Sequence, residues 1–418
     1  MRAGLVDHHA LGGKLIPAAV LIGYKRLSPG EIVMNRMRAA AGLFAVAKSS
    51  GLVSPDYATF RSSPKLNAHY AVALFKTTSM MSVFRLESRG LGTGESGFLR
   101  LYSDRFGMLP IPIPPVEEQA AIVQFLDWAS GRLEGAIRAK RKVIALLGEQ
   151  KQAIIHRAVT RGLDSSLILK PTGVPWLGDI PANWETWRLG RSARIGNGST
   201  PSRGRPAYWN GGTYPWLNSS QVNRGFIDSA DQFVTAEALR ECHLPRVPVG
   251  SVLVAITGQG KTRGTSALLG MEATINQHIA FVTPRPSLLL PHFLHLSLTA
   301  AYGELRAMSE DSGSTKGAIT CEGLKRFTVA VPPLAEQATL IDRIETETKA
   351  LNTTMSRLET ETGLLREYRA RLIADVVTGK LDVREAAARL PDEAPLDSPS
   401  DDTDILDDPE TADEEAVA

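Results

Sequence analysis

One short segment carries the residue types of a phosphate-binding loop. Ala255–Thr262 reads AITGQGKT and follows Gly250–Ile256, an apolar run that predicts a buried strand. The nucleotide-binding motif opens with a glycine, but Ala255 stands at that position, and the RGTS that follows is a poor start for a helix. The sequence thus disfavours nucleotide binding. It favours a basic, glycine-rich loop whose Lys261 and Arg263 approach a phosphate backbone, and a plain turn with solvated charges stays open.

Further polar side chains are displayed among turn-forming residues. Gly198–Arg205, Tyr208–Gly212 and Tyr214–Asn218 combine Gly, Pro, Ser and Asn with arginines and aromatic side chains. Because Gly, Pro and Asn favour turns, we expect these residues on loops, where arginine and asparagine suit contacts with phosphates and base edges. With His278–Val282 as a second buried strand and the tryptophan-rich Val174–Leu189 as an ordered lead-in, the segment predicts a mixed α+β domain.

No other arrangement of residues indicates a catalytic centre. The sequence has no Asp/Asn-Pro-Pro-aromatic element of an amino-methyltransferase and no nuclease carboxylate pair followed by Lys. Its eight histidines show no metal-ligand spacing, and its two cysteines fit a reducing, cytoplasmic compartment better than a disulfide framework. No apolar run reaches the ~18 residues of a membrane helix. We therefore predict a non-catalytic chain that binds no metal or cofactor itself.

The charge is distributed unevenly along the chain. The whole sequence has 47 Lys and Arg against 45 Asp and Glu, a net charge of +2. Residues 391–418 hold twelve of the acidic residues and no Lys or Arg, which leaves 47 against 33, or +14, for the first 390 residues. A tail of this composition is expected to be disordered. The basic remainder suits a polyanion such as DNA.

The elements that would position these loops are marked by a repeat. Pro114–Ala120, PPVEEQA, returns 218 positions later as Pro332–Ala338, PPLAEQA, and the register holds without a gap to Ala158–Asp164 and Val376–Asp382. This period is far longer than that of a solenoid. Since Pro-Pro excludes helix before it and is tolerated at a helix start, the repeat predicts two copies of a long helix.

Apolar residues recur every seven positions in both copies. In the first copy the row is Leu126, Leu133, Lys140, Leu147 and Ile154, and in the second it is Ile344, Leu351, Leu358, Leu365 and Leu372. Such heptads indicate a coiled coil, and two equal helices in one chain would pair antiparallel. A second, interleaved row of the second copy is Leu340, Glu347, Thr354, Glu361 and Tyr368. The charged members of these rows, Lys140, Glu347 and Glu361, either lie at the helix edge or set the register. The helices are expected to act as a spacer between two globular segments, and a scaffold that merely dimerises is the alternative.

Taken together, the motifs resemble the specificity subunit of type I restriction-modification systems. The resemblance rests on the paired Pro-Pro-x-x-Glu-Gln helices and on four stretches between them and around them. These stretches are Trp176–Trp184, Ser199–Trp209, Ile256–Gly264 with Ile275–Gln277, and Gly313–Gly317. The match covers nearly everything before the acidic tail.

The resemblance implies two target recognition domains, each reading one half of a split double-stranded DNA sequence, with the antiparallel helices fixing the gap between the halves. It also implies docking of methyltransferase (modification) subunits and of ATP-dependent restriction subunits. S-adenosylmethionine, ATP and Mg would be bound by those partners, not by this chain. The expected recognition domains are residues 1–113 and 165–331. The expected long helices are residues 114–164 and 332–382, and the expected disordered tail is residues 383–418.

The first recognition domain departs from the family pattern. Pro29–Met34 aligns with Val249–Val254 of the second domain, so roughly the first half of the first domain has no counterpart, including its Trp-Leu-Gly lead-in and its Thr-Pro-Ser-Arg loop. We expect a truncated gene model or a degenerate gene, and a chain with one working recognition domain is an alternative function.

The candidate DNA contacts are basic and amide side chains expected on loops. In the second domain they are Arg203, Arg205, Asn218, Gln221, Arg224, Lys261, Arg263 and Lys316, and in the first they are Asn35, Arg36, Arg38 and Lys48. Lysine and arginine would supply affinity through phosphates, and loop residues in the grooves would supply specificity.

Overall fold

Strands, short helices and two very long helices alternate along the chain in the computed structural model, which describes residues 5, 17, 20–91, 98–164, 166–258, 260–310 and 317–391. The described residues form two compact units, one from within residues 1–141 and 358–418 and the other from within residues 142–357. The acidic segment from residue 392 onwards lies outside the described residues.

The first part of the chain has short strands, three short helices and one long helix. They are β1 (Lys25–Leu27), β2 (Ile32–Asn35), β3 (Phe44–Val46), β4 (Gly51–Val53), β5 (Tyr57–Phe60), α1 (Ala68–Phe75), α2 (Thr78–Glu87), β6 (Arg89–Leu91), β7 (Phe98–Arg100), α3 (Ser103–Gly107) and α4 (Val116–Arg161).

The rest of the chain has more strands, short helices and the second long helix. They are β8 (Leu169–Pro171), β9 (Asp179–Pro181), β10 (Glu185–Arg188), α5 (Leu189–Ser192), β11 (Ala193–Asn197), β12 (Tyr214–Leu217), β13 (Phe226–Ile227), β14 (Gln232–Val234), α6 (Ala236–Glu241), β15 (Val252–Ala255), β16 (Ser266–Leu269), β17 (Thr274–Ile275), β18 (Ile279–Pro284), α7 (Pro291–Ala300), α8 (Tyr302–Glu310), α9 (Cys321–Arg326), β19 (Thr328–Val331), α10 (Leu334–Val377) and α11 (Arg384–Ala388).

The first unit is built on a three-stranded antiparallel sheet of order β3-β2-β5. The central strand β2 pairs with β5 from Ile32 opposite Phe60 to Asn35 opposite Tyr57. Four phenylalanine rings of β3 and of the helices α1, α2 and α3 pack against one another, with centroids 5.1–5.9 Å apart. Such pairs add ~0.5–1.5 kcal/mol each beyond the burial of their area.

The second unit contains a five-stranded sheet of order β11-β18-β15-β16-β13 and a three-stranded sheet of order β14-β12-β17. Its central strands β15 and β18 are the two strands that the apolar runs predict, and their pairing from Val252 opposite Val282 to Ala255 opposite Ile279 confirms that prediction. Every residue of β15 is buried, because the sheet is covered on both faces by separate groups of apolar side chains.

The three strands of the first sheet match the three central strands of the second. β2, β3 and β5 pair in the order and direction of β15, β16 and β18. The alignment of Pro29–Met34 with Val249–Val254 therefore equates two central strands. The described residues of the first unit have no counterpart of β11 or β13 beside this sheet. Each unit thus has its own core sheet with the same three-strand arrangement, and the two units differ in the strands that flank this sheet.

The two long helices, of 46 and 44 residues, lie within the segments 114–164 and 332–382 that the repeat predicts. In the first unit, Ile122 and Leu126 of α4 share a core with Val376 and Val377 of α10, whereas Glu134 of α4 forms an ion pair with Arg369. In the second unit, the end of α4 and the start of α10 contribute to another shared core. Residue numbers rise on one helix as they fall on the other, so the helices pair antiparallel, as expected.

The charged seam residues take two different roles. The ammonium of Lys140 on α4 donates a hydrogen bond to the carboxylate of Glu361 on α10 at a distance of 2.5 Å. Both side chains are about one-third exposed. Glu347 instead pairs with Arg343, one turn earlier on its own helix. The pair between helices supports the alternative in which seam charges set the register, and Glu347 fits the alternative in which they lie at the edge.

A buried glutamine explains why this residue recurs in the repeat. In the first unit the Gln119 side chain is fully buried. Its Nε2 donates to the carbonyls of Pro114 at 2.7 Å and Lys65 at 2.9 Å, and its Oε1 accepts from the backbone N–H of Asn67 at 2.7 Å. Asn67 is the N-cap of α1. One side chain thus joins the start of α4 to the start of α1.

The second unit repeats this arrangement atom for atom. Gln337, 218 positions later, is also fully buried. Its Nε2 donates to the carbonyls of Pro332 at 2.8 Å and Leu288 at 2.9 Å, and its Oε1 accepts from the N–H of Leu290, the N-cap of α7, at 2.8 Å. We call each set of three hydrogen bonds a glutamine lock. The repeat therefore encodes a joint between a long helix and a globular core.

Candidate nucleic-acid interface

Three loops of the second unit leave its five-stranded sheet at the same end. β11 ends at Asn197 opposite Ala280, and β15 ends at Ala255 opposite Ile279. Antiparallel pairing therefore places the segments 198–205, 256–265 and 276–278 side by side. These segments include the polar loops that the sequence singles out, and we call them the loop end of the sheet.

A chain of side-chain hydrogen bonds connects the three loops. The hydroxyl of Thr200 donates to Gln277 at 2.7 Å, Gln277 Nε2 lies 3.0 Å from His278 Nε2, and His278 Nδ1 lies 2.7 Å from the Thr257 hydroxyl. From the neighbouring turn Asn223 donates to the Thr262 hydroxyl at 3.2 Å. Gln277 and His278 were not among the predicted contacts, although Gln277 belongs to one of the motifs that carry the resemblance. The sequence signal that could have indicated these two residues is their position at the start of a predicted strand, next to a loop.

The loop 198–205 is fixed in shape by tryptophan and glycine. The indole N–H of Trp216 donates to the Ser199 carbonyl at 3.1 Å, and that of Trp209 donates to the Ser202 carbonyl at 3.1 Å. A Cβ on Gly198 would lie 1.7 Å from the Ile275 carbonyl oxygen, so only glycine fits there. These contacts hold both ends of the loop against the domain.

The two arginines of this loop already have partners within the unit. Arg203 lies 3.9 Å above the centroid of the Trp209 ring and donates to Gln232 at 2.7 Å. Arg205 forms ion pairs with Glu237 at 2.7 Å and Glu241 at 3.1 Å. Both side chains are exposed, so each keeps one side toward solvent. Their contact with DNA stays a prediction, and for Arg205 it would compete with two carboxylates.

The three candidates around residue 220 form one small structural group. Asn218 caps a 3₁₀ turn, Ser219–Arg224, together with the buried Gln221 in a reciprocal capping box. Gln221 also donates to Asp231, and Arg224 forms a bidentate ion pair with the same carboxylate at 2.8 and 3.1 Å. The amides of Asn218 and Gln221 are thus used inside the fold. Arg224 is the exposed member of the group.

The glycine-rich loop divides its two cations between surface and interior. Lys261 is exposed. Arg263 is 8% exposed, and its Nη1 donates to the Gly317 carbonyl at 2.7 Å. Arg306 reinforces the loop by donating to the Gly260 carbonyl at 2.7 Å. Arg263 therefore holds two loop segments together, which leaves Lys261 as the better candidate for a phosphate. Lys316 lies outside the described residues.

Three of the first-unit candidates lie at the corresponding end of the smaller sheet, whereas Lys48 follows β3, whose Val46 pairs with Ile32, and lies at the opposite end. Asn35 ends β2, and its side chain accepts from the N–H groups of Met37 and Arg38 at 3.1 and 3.2 Å, which closes a turn. Arg38 and Lys48 are exposed. Arg36 donates to the carbonyls of the β4–β5 turn. As in the second unit, the amide shapes the loop, one arginine is held by backbone carbonyls and another cation is exposed.

A second basic surface lies at the opposite end of the five-stranded sheet. A groove of about 880 Å³ is lined by Lys170, Trp187, Arg188 and Arg191, among others. β11 starts next to it at Ala193, opposite Pro284. The loop end and this groove are thus separated by the length of the sheet. Among the described residues, no three His, Cys, Asp or Glu side chains are grouped as metal ligands, and none of the helices is both long and apolar enough to span a bilayer.

With this geometry in place, comparison with known proteins defines the class. The sequence profile of the family described as type I restriction modification DNA specificity domain matches residues 23–140 and 181–361. Both matches include strands of a core sheet and the start of a long helix. The chain belongs to this family of type I restriction-modification specificity subunits. The resemblance drawn from the motifs is therefore confirmed.

Individual relatives fall within the same class. The chain is 27% identical over 172 residues to the Escherichia coli type I restriction enzyme EcoR124I/EcoR124II specificity subunit, covering 40% of this chain and 42% of the relative. It is 27% identical over 165 residues to the MjaIX specificity subunit of Methanocaldococcus jannaschii, covering 38% and 37%. These matches span less than half of either relative. A putative MjaX specificity subunit from the same archaeon is 20% identical over 77% of this chain and 69% of its own length.

The fold also resembles that of a solved structure. A chain from a study of complex assembly and conformational transition in a type I restriction-modification system aligns with a TM-score of 0.60 and 18% identity. The alignment covers 88% of this chain and 85% of the other. At this identity the comparison concerns the fold alone. It agrees with the mixed α+β units and paired long helices.

Proposed function

We propose that this chain is the DNA-recognition subunit of a type I restriction-modification complex and reads a bipartite double-stranded target. The observation that carries the proposal is that both units place basic side chains at the same end of matching sheets. Each unit would read one half of the target, with lysine and arginine on phosphates and loop side chains in the grooves. Pre-shaped loops suit this role because a fixed surface loses little entropy on binding.

Catalysis would belong to partner subunits. Methyltransferase subunits would bind S-adenosylmethionine and methylate the target, and restriction subunits would use ATP and Mg for translocation and cleavage. The family membership supports these partners. The two free cysteines, Cys242 and Cys321, fit the reducing cytoplasm in which we place the complex.

The deciding experiment maps methylation in cells. The gene would be expressed with its methyltransferase partner in a host that lacks adenine methylation, and the methylome would be sequenced. We expect one methylated motif with two specific halves separated by an unread gap. A matched strain would carry Gly198→Val, which should spoil the loop end of the second unit alone and abolish methylation. Unmethylated DNA in a strain where the two subunits co-purify would contradict the proposal.

A second candidate function is suggested by the smaller first sheet. The described residues of the first unit have no counterpart of β11, which in the second unit leads directly into the loop 198–205. A subunit in which only the second unit reads bases would give a motif with one specific half. The same methylome distinguishes the two candidates by whether its motif is bipartite.

A further inference from the structure

Three cations meet at one turn of the first unit, and a fourth lies opposite one of them in a strand pair. The turn joins β4 to β5, and its carbonyls at Pro55 and Tyr57 face two of these cations. The Lys25 ammonium donates to them at 3.1 and 2.5 Å, and Arg36 Nη2 donates to the same pair at 3.2 and 3.4 Å. Two positive side chains thus share one pair of acceptors. The carbonyls hold the cations in place but do not cancel their charge.

Two more arginines complete the group from the β6–β7 hairpin. Arg100 lies 3.4 Å from the carboxylate of Asp56 in the same turn, and it stands directly opposite Arg89 in the strand pair. Residues opposite each other in an antiparallel pair point to the same face, and like charges there are destabilising. We call Lys25, Arg36, Arg89 and Arg100 the cation cluster. Asp56 is the carboxylate that meets it among the described residues.

The cluster carries a cost within the isolated chain. Burial and then the charges of Arg36 and Arg100 lower the pKa of Lys25 below its usual value. The Nε atoms of Arg36 and Arg100 are buried without a hydrogen-bond partner in the described structure. Both signs indicate positive charge in excess of what the fold neutralises. An anion bound at this point would remove the excess.

The position of the cluster matches the loop end of the second unit. The N–H of Leu101, next to Arg100, donates to the Arg36 carbonyl at 2.9 Å, and the N–H of Ile319 donates to the Ile256 carbonyl at 2.9 Å. In each unit the acceptor directly follows the central strand of the sheet. The equivalence places Arg36 where the second unit begins its glycine-rich loop. The cation cluster thus occupies the end of the sheet that faces DNA in the proposed function.

We propose that the cation cluster binds a backbone phosphate of the DNA, on the first half of the target. This inference rests on the proposed function and names residues that the motifs did not reveal, since Lys25, Arg89 and Arg100 were not candidates. A phosphate oxygen accepts several N–H bonds at once, and clustered guanidiniums suit it better than single charges. Because the contact is to the backbone, it fixes position and is indifferent to base sequence.

The test compares arginine variants in the full-length chain bound to its methyltransferase partner. Arg89→Gln and Arg100→Gln each remove one charge from the cluster, and Arg85→Gln removes one from the exposed face of α2 in the same unit. Binding to a duplex would be measured between about 50 and 200 mM salt. Each phosphate contact adds ~0.9 to the magnitude of the slope of log K against log salt. Between the two salt concentrations, the factor by which affinity falls should therefore be about threefold smaller for the cluster variants than for the parent.

Stability without DNA provides a second readout. Arg89→Gln relieves a like-charge pair, so the Tm of the free protein should stay unchanged or rise while DNA binding weakens. A merely structural arginine would show the opposite, with a lower Tm. A duplex with neutral methylphosphonates should abolish the difference between Arg89→Gln and the parent.

The outcomes separate this inference from the proposed function. If the parent and Arg85→Gln bind DNA with the same slope and the cluster variants share it, the cation cluster binds no phosphate and the inference is overturned, although the proposed function stands. If the parent complex fails to bind any duplex, the proposed function itself is overturned and the inference with it.

Discussion

At the scale of single residues, the most informative side chains are two equivalent glutamines that make the same hydrogen bonds in the two units. Gln119 and Gln337 make three matching hydrogen bonds each, all with backbone groups. A buried amide is costly unless every bond is made, and here each one serves to join two helix starts. The repeated glutamine therefore has a structural role.

Replacing Gln337 by Leu should destabilise the second unit by about 2–4 kcal/mol. The substitution removes the side-chain partner of the Leu290 N–H and of the Pro332 and Leu288 carbonyls, which are partly or fully buried. Urea unfolding followed by tryptophan fluorescence would measure the change. Gln124→Leu on the exposed face of α4 is the control and should shift stability by less than about 0.5 kcal/mol. Equal losses in both variants would contradict the lock.

Lys261→Gln and Arg263→Gln should have opposite effects on binding and on stability. Lys261 is exposed, so its loss should lower the salt slope of DNA binding by about 0.9 and leave the Tm unchanged. Arg263 is buried against the Gly317 carbonyl, so its loss should lower the Tm. Lys349→Gln on α10 controls for net charge. An unchanged slope in Lys261→Gln would remove this lysine from the interface.

At the scale of elements, periodicity predicts the long helices and the central strands because their signals are local and repeated. Heptads and Pro-Pro pairs define α4 and α10, and short apolar runs define β15 and β18. The use of loop side chains is not predictable in the same way. Because Arg263 and Gln221 lie in polar stretches, the sequence predicts that they are exposed, but tertiary contacts bury both side chains. Which face of a loop is outside depends on partners such as Gly317 and Asp231 that are distant from the pattern.

The ion pair across the helices should contribute to their register. Lys140→Glu places two carboxylates together in the seam and should destabilise the first unit by about 1 kcal/mol, a modest value because both groups are partly exposed. Adding Glu361→Lys should restore most of that loss, as a thermal unfolding cycle would show. Arg371→Glu, which disrupts a pair within one helix, gives the comparison. No recovery in the double variant would mean that the pair adds nothing to the register.

At the scale of the whole molecule, charge is separated along the chain. The last 28 residues carry a charge of −12, while the remainder carries +14. Charges beyond a Debye length of ~10 Å are screened at 0.1 M salt, so the tail acts on DNA association mainly when salt is low. Sequence alone establishes this balance, because it depends on composition and not on packing.

Truncation after Leu390 should tighten binding to random-sequence DNA. The increase should be largest near 50 mM salt and vanish near 0.5 M, as filter or fluorescence titrations would show. A chain whose tail acids are all replaced by Asn and Gln should behave like the truncated chain. If instead it behaves like the parent, the effect of the tail does not arise from its charge.

The glutamine lock has a consequence for how such chains can be recombined. Each lock is contained within its own unit and ties the N-cap of a core helix, α1 or α7, to the first turn of the following long helix. A cut just after either lock therefore leaves the joint intact on one side. Because each globular core contains both the capped helix and the glutamine, one core could replace another while the hydrogen bonds of the lock are kept. New combinations of half-sites would then arise from crossovers inside the repeated helix sequence, where the two copies already align.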